Sequence, residues 1–508
     1  MSTHAETLAE LTRAAATRFG ERIAVHSRGE ELSFLAIERA VAALAAAMTR
    51  LGVQPRQNVV LHLPNSWRWI VAYYAIARID AVVVPANILL VPEEIRFIAD
   101  DCKATAIIAP TERVAQLQEG AEPPAGRLYI AVGDGRCAGA FCFEELLHEP
   151  PSEGPSTATA DAVSTIGYTS GTTGRPKGAM LSHRAVVLNT AITANMHVRT
   201  ASDVVVTALP CAHVYGNVVM NGAFLCGYTL VLLERFEAEA ALEAIEQHRA
   251  TLFEGVPTMY YYLLGSSGLG RRNLRSLTRA TVGGQTMPLP QMHEVKARLS
   301  CPLIELWGMT EIAGLGTTHL LYAPERLGSI GQSLPLSECA IADFQEPAKH
   351  LPAGESGELL IRGPTVMRGY LDRPEATREV LLPGGWLRTG DVAYRDADGY
   401  FFIVDRVKEM IITAGYNIYP SEVERVIAAH PAVQMVAVGG KPDAAKGELA
   451  HAYVVLKANA SVEVAALLDH CRSHLAAYKV PKEVHFVTDL PKTSTGKIMR
   501  RALRNFPS

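Results

Sequence analysis

The segment from Tyr168 to Gly178, with the sequence YTSGTTGRPKG, combines hydroxyl side chains, glycines and a lysine. Glycine lets the backbone approach a ligand closely, Ser and Thr hydroxyls donate hydrogen bonds, and Lys177 adds a positive charge. We therefore predict that this segment wraps a phosphate group. It is not a Walker A sequence, because Gly178 follows Lys177 and the required spacing of glycine, lysine and hydroxyl is absent. The alternative, a flexible surface turn, is disfavoured by the density of hydroxyls and glycines.

The elements around this segment predict an α/β fold. Apolar runs at 58–63, 81–84, 104–108 and 162–168 alternate with helical patterns, which is typical of βαβ units with parallel strands. The last of these runs leads directly into the phosphate segment, and Ser182 can cap a helix after it. Residues 119–160 are rich in Gly, Pro, Ser and Glu and are interpreted as a surface connection. We expect a large, multi-lobed N-terminal domain with mainly parallel sheets.

The C-terminal part of the chain is predicted to form a smaller, mobile α/β domain. The Asp398-Gly399 turn between two strand-like runs predicts a hairpin. Ser421 and Glu424 form a capping-box pattern for a helix that ends before Pro431. Strands at 433–438, 451–456 and 483–487 and a helix at 462–478 complete it. We place the boundary near Lys408, which divides the chain into residues 1–407 and 408–508.

Composition restricts the class of function. The chain has 508 residues, of which 48 % are hydrophobic and 20 % charged, and this excludes disorder as the main state. The net charge of −4 gives no polycationic surface for nucleic acid. The eight cysteines form no CxxC pair, which favours reduced thiols in the cytoplasm and disfavours a cysteine zinc site. No signal peptide is evident, and Arg78, Asp80 and Pro85 interrupt the most apolar stretch, so no integral membrane association is expected.

The phosphate segment resembles that of the adenylate-forming superfamily, which includes acyl-CoA synthetases, aryl-CoA ligases, firefly-type luciferases and peptide-synthetase adenylation domains. Further segments resemble the family's motifs in the same order along the chain. Residues 306–311, LWGMTE, are similar to its adenine and magnesium motif, and residues 389–391, TGD, to its ribose motif. Residues 405–424 resemble its hinge and crossover segment, and residues 491–497, PKTSTGK, its C-terminal lysine loop. Five ordered motifs make chance a poor explanation.

Each motif also has a physical rationale and a structural alternative. Trp307 offers a flat face for adenine, with the turn at 283–285 against the other face, or it is a core residue beside a tight turn. Glu311 is a hard oxygen ligand suited to Mg²⁺, a task that the resemblance assigns to it, or else a helix cap or surface charge. Asp391 can accept from ribose hydroxyls and Arg406 can donate to the nucleotide, or the two pair to stiffen the hairpin. Both interpretations of that pair can hold together.

Two further residues take their roles from the resemblance. Lys497 lies in a basic tail, so composition alone favours a solvated face; the resemblance implies that it bridges the substrate carboxylate and the α-phosphate. His213 matches a position where the family has an aromatic residue or His between the acyl site and the thiol channel. A lone His is more often a core residue, and the implied role is gating or orienting. Gly415 is implied to approach the pantetheine channel after rotation about the hinge residue Lys408.

The resemblance thus implies three groups of site residues. The catalytic residues are Thr169, His213, Glu311 and Lys497, and Thr169 and Glu311 also hold the metal. The nucleotide-binding residues are Thr169, Ser170, Gly171, Thr172, Thr173, Gly174, Lys177, Gly284, Gln285, Trp307, Gly308, Met309, Thr310, Glu311, Asp391, Arg406 and Lys497. The acyl pocket is formed by His213, Val214, Gly216, Asn217, Asn221, Gly284, Gly308 and Gly314.

The implied reaction uses ATP, Mg²⁺ and coenzyme A. A carboxylate and MgATP give an acyl-adenylate and pyrophosphate, and the thiol of coenzyme A then displaces AMP. Gly308 stands where acetate-specific relatives have Trp, and the pocket segments lack Lys and Arg, so a medium-to-long or alicyclic monocarboxylate is expected. Two alternatives remain open: a ligase that passes the acyl group to an amine, an amino acid or a carrier-protein thiol, and a non-catalytic nucleotide-binding protein.

Overall fold

The computed structural model of the chain describes residues 6–119, 126–151, 156–169, 176–413, 416–443, 447–493, 497–503 and 506, with the backbone alone for Asn417 and Arg501. Its α-helices are α1 Leu8–Phe19, α2 Phe34–Arg50, α3 Trp67–Arg78, α4 Pro92–Asp101, α5 Thr111–Gln118, α6 Phe143–Leu146, α7 His183–Met196, α8 Val214–Cys226, α9 Ala238–Gln247, α10 Pro257–Gly265, α11 Leu289–Leu299, α12 Pro374–Val380, α13 Pro420–Ala428, α14 Val464–His474 and α15 Arg500–Leu503. Short 3-10 helices lie at Thr310–Ile312, Pro383–Gly385 and Ala477–Lys479. None of the described helices is long and apolar enough to cross a membrane.

The strands fall into four sheets. In chain order they are β1 Ile23–Ser27, β2 Glu30–Ser33, β3 Asn58–Leu61, β4 Val82–Pro85, β5 Ala106–Pro110, β6 Leu128–Val132, β7 Phe141–Cys142, β8 Val163–Thr169, β9 Lys177–Ser182, β10 Val204–Thr207, β11 Thr229–Leu232, β12 Leu252–Gly255, β13 Arg279–Gly283, β14 Leu303–Met309, β15 Gly314–Thr318, β16 Gln332–Ser333, β17 Glu338–Ala342, β18 Ser356–Arg362, β19 Leu387–Arg395, β20 Phe401–Arg406, β21 Ile411–Thr413, β22 Tyr416–Ile418, β23 Val433–Asp443, β24 Gly447–Leu456 and β25 Glu483–Phe486.

Two large sheets form most of the N-terminal part. One has seven strands in the order β7-β6-β5-β3-β4-β8-β9 and is parallel except between β8 and β9. The other has nine strands in the order β16-β15-β14-β13-β12-β10-β11-β1-β2 and is parallel from β14 to β1, with antiparallel strands at both ends. The continuous apolar runs of β3 and β4 are those of strands buried on both faces. The predicted α/β fold with parallel-rich sheets is confirmed.

Helix α3 belongs to the largest core of the molecule. Every residue from Trp69 to Ala77 is at most 1 % exposed, so solvent reaches almost no side of it. Ser66 caps its first turn by accepting from the Trp69 N–H. Tyr74 packs edge-on against Phe224 of α8, with 4.9 Å between ring centroids. This packing holds α3 and α8 in a fixed relation behind the site described below.

Two smaller sheets make up the rest of the chain. An antiparallel sheet has the order β17-β18-β19-β20 and ends at Arg406. A five-stranded sheet begins at Ile411 and has the order β22-β21-β24-β23, with β25 parallel to β24. Lys408, the predicted boundary, lies in the short connection between them. The last sheet packs on the N-terminal part through one shared apolar cluster, which includes Tyr453 and Leu503, and through a bond from Gln291 Nε2 to the Ala428 carbonyl at 3.1 Å.

Three local predictions differ from the structure. A strand, β9, comes between the phosphate segment and the helix, because the open edge of β8 supplies ladder hydrogen bonds; Ser182 then caps α7 as predicted. The region 119–160 contains β6, α6 and β7 rather than a surface connection alone, since the short apolar run of β6 pairs with β5. The capping box of α13 is not formed. Ser421 instead donates to the Val404 carbonyl and to Asp405, and Glu424 pairs with Arg500.

Candidate active site

The candidate site lies where the ends of β8 and β14 meet. Thr169 is the last residue of β8, and the turn of helix at Thr310–Ile312 directly follows β14. The two segments touch, because a Cβ added at Gly167 would lie 2.5 Å from Thr310 Cγ2. The predicted metal ligands Thr169 and Glu311 therefore stand on adjoining segments. Ser170, Gly171, Thr172, Thr173 and Gly174 lie outside the described residues, as does Gly415.

Glu311 is a buried carboxylate with a defined partner. It is 7 % exposed, and its Oε1 accepts a hydrogen bond from the Tyr370 hydroxyl at 2.9 Å. Burial raises the pKa of Glu311, while the Tyr370 bond and the nearby Arg406 charge oppose that rise. The Lys177 ammonium lies 5.5 Å from the centre of the Tyr370 ring. Tyr370 thus joins the predicted metal ligand to the predicted phosphate-binding lysine, a role that no local motif indicated.

The donor set of this corner fits Mg²⁺. A carboxylate and a threonine hydroxyl are hard oxygen ligands, which Mg²⁺ prefers in proteins. No other side chain in the described part of the chain binds the second Glu311 oxygen. A divalent ion would also offset the desolvation that raises the Glu311 pKa. Lys177, by contrast, supplies a positive charge suited to phosphate rather than to metal.

Trp307, Asp391 and Arg406 form a continuous polar contact. The Trp307 indole donates to Asp391 Oδ2 at 2.7 Å, and Arg406 Nε lies 2.9 Å from Asp391 Oδ1. The predicted Asp-Arg pair is therefore present, and the charge of Asp391 raises the pKa of Arg406. Trp307 is 8 % exposed, and part of its ring packs directly against Gly316 of β15. The structural alternative considered for Trp307, a core residue, thus applies to a large part of this side chain.

Lys497 comes from the C-terminal part of the chain and reaches this site. Gly284, with φ of 89°, leaves room for it, since an added Cβ would lie 2.7 Å from Lys497 Cε. Gln285 holds the next residue, Ile498, by both backbone groups: its Oε1 accepts from the Ile498 N–H at 2.8 Å, and its Nε2 donates to the Ile498 carbonyl at 3.0 Å. The Gln285 side chain, predicted to be nucleotide-binding, is therefore engaged with the lysine loop.

The electrostatics of Lys497 and His213 are coupled. Burial, helped by the nearby Arg406 charge and opposed by Asp391, lowers the pKa of Lys497 to about 8. Burial and the Lys497 charge lower the pKa of His213 to about 3, so this ring is neutral at physiological pH. His213 Nδ1 accepts from the Tyr215 N–H at 3.3 Å and caps α8, which leaves the proton on Nε2.

A small cavity of about 60 Å³ lies beside these residues. It is lined by Pro85, Thr165, Gly167, Tyr168, Leu181, Val186, Ala212, His213, Val214, Asn217, Thr310 and Ala313. Of the predicted acyl-pocket residues, His213, Val214 and Asn217 line this cavity, and Asn221 lies behind Asn217, bonded to it. Sequence reasoning did not assign to the acyl pocket Thr165 and Val186, which lie outside the family motifs, or Tyr168, the first residue of the phosphate segment.

Three glycines that were predicted to line the acyl pocket are instead packed against other parts of the protein. A Cβ at Gly308 would collide with the backbone carbonyl of Gly314 in the paired strand β15, so the missing side chain makes room for backbone and not for substrate. Gly216 and Gly314 are likewise packed against the Pro210 carbonyl and against Asn189 and Val218. The expectation that Gly308 opens the acyl cavity is therefore not supported by its surroundings. Met309, which follows it, is half-buried at the end of β14.

Lys408 stands near the phosphate side of the site. Partial burial and the nearby charges of Lys177 and Arg406 lower its pKa. The adjoining residues contact both sides of the connection: the Val407 N–H donates to the Gly390 carbonyl, and the Glu409 side chain accepts from Arg500 at 2.5 Å through Oε2. The proposed hinge is thus ordered by contacts in this domain orientation.

Comparison with known proteins identifies the family. Residues 12–371 match the AMP-binding enzyme family, and residues 422–497 match the AMP-binding enzyme C-terminal domain. The chain is 32 % identical to a long-chain-fatty-acid–CoA ligase of Bacillus subtilis strain 168, over 98 % of this chain and 94 % of that protein. It is 37 % identical to a feruloyl-CoA synthase of an Amycolatopsis species, over 95 % of each. The crystal structure of an anthranilate CoA ligase with anthranoyl-AMP superposes with a TM-score of 0.90 at 27 % identity, over 98 % of this chain and 96 % of that one. This chain belongs to the AMP-binding enzyme family and is an AMP-forming acid–thiol ligase.

Proposed function

We propose that the chain activates a monocarboxylic acid with ATP and transfers the acyl group to coenzyme A. A carboxylate oxygen attacks the α-phosphorus of ATP, and pyrophosphate leaves. The sulfur of coenzyme A then attacks the acyl carbon, and AMP leaves. One observation carries the proposal: Lys497 reaches from the C-terminal part to Gly284, and its charge acts on His213 in the cavity wall and on the Asp391–Arg406 pair. That convergence supplies a cation where carboxylate and α-phosphate must meet.

The phosphate end is assigned to Lys177, Thr169 and Glu311. Lys177 neutralises phosphate charge, and its contact with the Tyr370 ring keeps the ammonium on that side of the site. Thr169 and Glu311 would hold Mg²⁺ at this end, and the ion would supply positive charge that neutralises the phosphates. Tyr370 donates to Glu311 Oε1, and this bond orients the carboxylate. These residues position charge; none of them needs to form a covalent bond to substrate.

The nucleoside end is assigned to Asp391 and Arg406. Each Asp391 oxygen has one partner, Trp307 or Arg406, and keeps one further lone pair for a ribose hydroxyl. The Trp307 bond fixes the orientation of this carboxylate. Arg406 is 59 % exposed and retains N–H groups for the nucleotide. The aspartate-arginine pair thus serves both the stiffness of the hairpin and nucleotide binding.

Lys497 and His213 act on the reacting carboxyl group. An ammonium directed at the α-phosphate stabilises the charge that develops during in-line displacement. Only the protonated lysine can do so, and its pKa of about 8 leaves most of it protonated at neutral pH. Neutral His213 presents its Nε2–H and can orient an acyl oxygen by hydrogen bonding. We assign His213 an orienting role, because its pKa of about 3 makes it a weak base.

The acid is proposed to be a medium-to-long or alicyclic monocarboxylate, and the small cavity favours the alicyclic acid, which is the more compact of the two. Ligand pockets typically have about 300–1,000 Å³, whereas this cavity has about 60 Å³, so the acid must displace side chains to enter. Val186 and Val214 present apolar surface, but Thr165 and Asn217 make the same wall polar. A ring-bearing acid meets such a mixed wall better than a plain alkyl chain does.

The test is a panel of acids offered to the purified protein with MgATP. Pyrophosphate release that depends on the acid establishes adenylation, and AMP with a new thioester establishes transfer to coenzyme A. Coenzyme A, a carrier protein and free amino acids are supplied in parallel, because these acceptors share every ATP-site residue. The proposal requires coenzyme A to be the preferred acceptor. Amide products formed faster than the thioester would assign the alternative acceptor, and no pyrophosphate from any acid would refute the adenylating function.

A further inference from the structure

A chain of buried hydrogen bonds ends at the wall of the acyl cavity. The Tyr74 hydroxyl donates to Asn221 Oδ1 at 2.7 Å, and Asn221 Nδ2 donates to Asn217 Oδ1, also at 2.7 Å. The Tyr73 hydroxyl donates to the same Asn217 oxygen at 3.3 Å. Tyr73, Tyr74 and Asn221 are at most 1 % exposed. The network is therefore closed to water on the side away from the cavity.

This network fixes the orientation of the Asn217 amide. Its Oδ1 already accepts two hydrogen bonds, which uses both lone pairs. Reversing this amide alone would point its NH₂ group at Asn221 Nδ2, a donor whose orientation the Tyr74 bond sets, so Nδ2 faces away from Asn221. Asn217 lines the cavity, and within the described part of the chain its Nδ2 donates to no residue. The cavity wall therefore presents an N–H donor pair without a protein acceptor.

The position of this donor relates it to the reacting carboxyl group. Asn217 and His213 are four residues apart, at the start of α8, and both side chains line the same cavity. Residues at this spacing have Cβ atoms about 6 Å apart. Hydrogen bonds in the network all run toward Asn217 Oδ1, which polarises the amide and strengthens Nδ2 as a donor. No Lys or Arg lines the cavity, so a second carboxylate there would be buried without a counter-charge.

We infer that this pocket selects a monocarboxylic acid that carries an uncharged acceptor oxygen, such as a ketone, ether or hydroxyl, beyond its carboxyl group. A purely hydrocarbon acid would desolvate Asn217 Nδ2 and give it no partner, which is unfavourable. The inference rests on the proposed function, because it names the class of acid that the same pocket activates. Asn217 is accordingly a specificity-determining residue.

The experiment compares pairs of acids that differ only at one position. Each pair has the same ring and chain, for example cyclohexyl-propanoic acid with and without a ring ketone, and phenyl-propanoic acid with a methoxy or an ethyl group. The measured quantity is kcat/KM for acid-dependent pyrophosphate release. In the wild-type protein the oxygen-bearing member should be preferred by about tenfold or more, since a buried donor left unpaired costs more than a hydrogen bond gains.

Two substitutions test the residue. Asn217→Asp keeps an oxygen for Tyr73 and Asn221 but removes the N–H donors, and Asn217→Leu removes the amide altogether. Both should bring the preference ratio close to one. Asn195→Leu, at an exposed position on α7, is the matched control and should keep the wild-type ratio. Thermal melting of each variant checks that it is folded, and the aspartate variant remains informative if the leucine variant does not fold.

The outcomes separate this inference from the proposed function. Pyrophosphate from both members of a pair at equal kcat/KM would overturn the inference and leave adenylation established. A preference that persists in folded Asn217→Asp would also overturn it, because another donor would then be responsible. No pyrophosphate from any acid would overturn the proposed function, and the inference with it.

A second inference concerns a cluster on the C-terminal sheet. His451 of β24 stands opposite Glu483 of β25, and His485 follows on the same face. His451 Nδ1 is 3.3 Å from His485 Nε2, and Glu483 Oε2 is 3.7 Å and 3.5 Å from these two atoms. A point about 2.0 Å from all three atoms exists, which matches zinc–nitrogen and zinc–oxygen bond lengths.

The surroundings hold this cluster in place. The His485 ring stacks on Tyr453 with 4.9 Å between centroids, and the two histidine side chains are 13 % and 12 % exposed. Glu483 is 57 % exposed, so the third ligand faces solvent, where water can complete a tetrahedron. We propose that His451, Glu483 and His485 bind Zn²⁺ or a similar divalent transition-metal ion. The cluster belongs to the C-terminal sheet alone, and the proposal is independent of the acyl pocket.

The test uses the full-length protein, Zn²⁺ titrated by calorimetry and Co²⁺ followed by its visible absorption. One equivalent should bind and raise the melting temperature. His485→Gln should weaken that affinity about tenfold or more, and His293→Gln, at an exposed position on α11, should not change it. Equal affinity in the wild type and in His485→Gln, or an absence of stoichiometric binding, would overturn the proposal.

Discussion

Gln285 ties the N-terminal part of the chain to the loop that carries Lys497. Its side chain makes two hydrogen bonds to the backbone of Ile498, the residue after the lysine. The substitution Gln285→Ala removes both bonds and leaves the backbone turn at Gly284 unchanged. We predict that this variant loses adenylation activity and retains thioester formation from supplied acyl-adenylate, because the loop is required only in the first step.

The expected loss of adenylation rate in Gln285→Ala follows from the two hydrogen bonds that the substitution removes. Each neutral hydrogen bond contributes about 0.5–1.5 kcal/mol net, so the pair holds the loop with about 1–3 kcal/mol. That range corresponds to a loss of about 5- to 150-fold in the rate of adenylation, since about 1.4 kcal/mol is a factor of ten. Deleting the ammonium itself should cost more, about 10²- to 10³-fold. Gln285→Ala should therefore lie between the wild type and Lys497→Ala.

The assay separates the two half-reactions. Pyrophosphate exchange reports adenylation, and the rate of thioester formation from synthetic acyl-adenylate reports transfer. Gln291→Ala is the matched control, because Gln291 also bonds the C-terminal part, at the Ala428 carbonyl, but through one bond on α11. Our reasoning requires a selective loss in Gln285→Ala that Gln291→Ala does not reproduce. Equal losses in the two variants would mean that domain docking in general, and not the lysine loop, limits the first step.

Three further predictions concern Lys497 and Lys408. Lys497→Ala should lose adenylation and keep thioester formation from supplied acyl-adenylate, and equal loss of both in a folded protein would contradict the assigned role. With increasing pH, kcat/KM for adenylation should fall above pH of about 8, where Lys497 loses its proton. Lys497→Arg should not show this fall in the pH profile. An unchanged fall in that variant would exclude Lys497 as its source. Lys408→Pro should impair transfer more than adenylation, because proline restricts φ at the proposed hinge, and an unchanged ratio of the two rates would place the hinge elsewhere.

The parallel strands and the order of the motifs could be predicted because their information is local. Continuous apolar runs indicate buried parallel strands, and Ser182 caps α7 as a serine before a helix should. Each motif joins residues that are close in sequence. The capping box predicted at Ser421 shows the limit of such reasoning. It does not form, because the serine hydroxyl donates to the Val404 carbonyl and to Asp405, which are distant in sequence.

Contacts between distant segments could not be predicted. The Trp307 indole bonds Asp391 across 84 residues, and Gln285 reaches the lysine loop across 213. Nothing near Tyr370 in the sequence indicates that it orients Glu311. Gly308 was assigned to the cavity from its motif, but the pairing of β14 with β15 determines what lies beside it. The sequence identifies which residue types are present, whereas the packing of segments that are distant in sequence determines which of these residues come together.

Asp405 connects the chemistry of the site to the proposed rotation. It lies on β20, before Lys408, yet its side chain binds Ser421 and Arg500, which come after it. The carboxylate is 2 % exposed, and an uncompensated buried charge costs about 3–5 kcal/mol. The proposed rotation about Lys408 would therefore have to bring solvent or new partners to Asp405 as these bonds break.

A ligand can shift such an equilibrium only through its different affinity for the two orientations. The orientation described here brings Lys497 to the site, and under the proposed mechanism the negative charge of ATP and carboxylate would stabilise it. Departure of pyrophosphate would remove most of that charge and so weaken the attraction between the ligand and Lys497. The contacts of Lys497 and of Asp405 would then favour rotation only after the first step. The two half-reactions would thus follow in order without a separate signal.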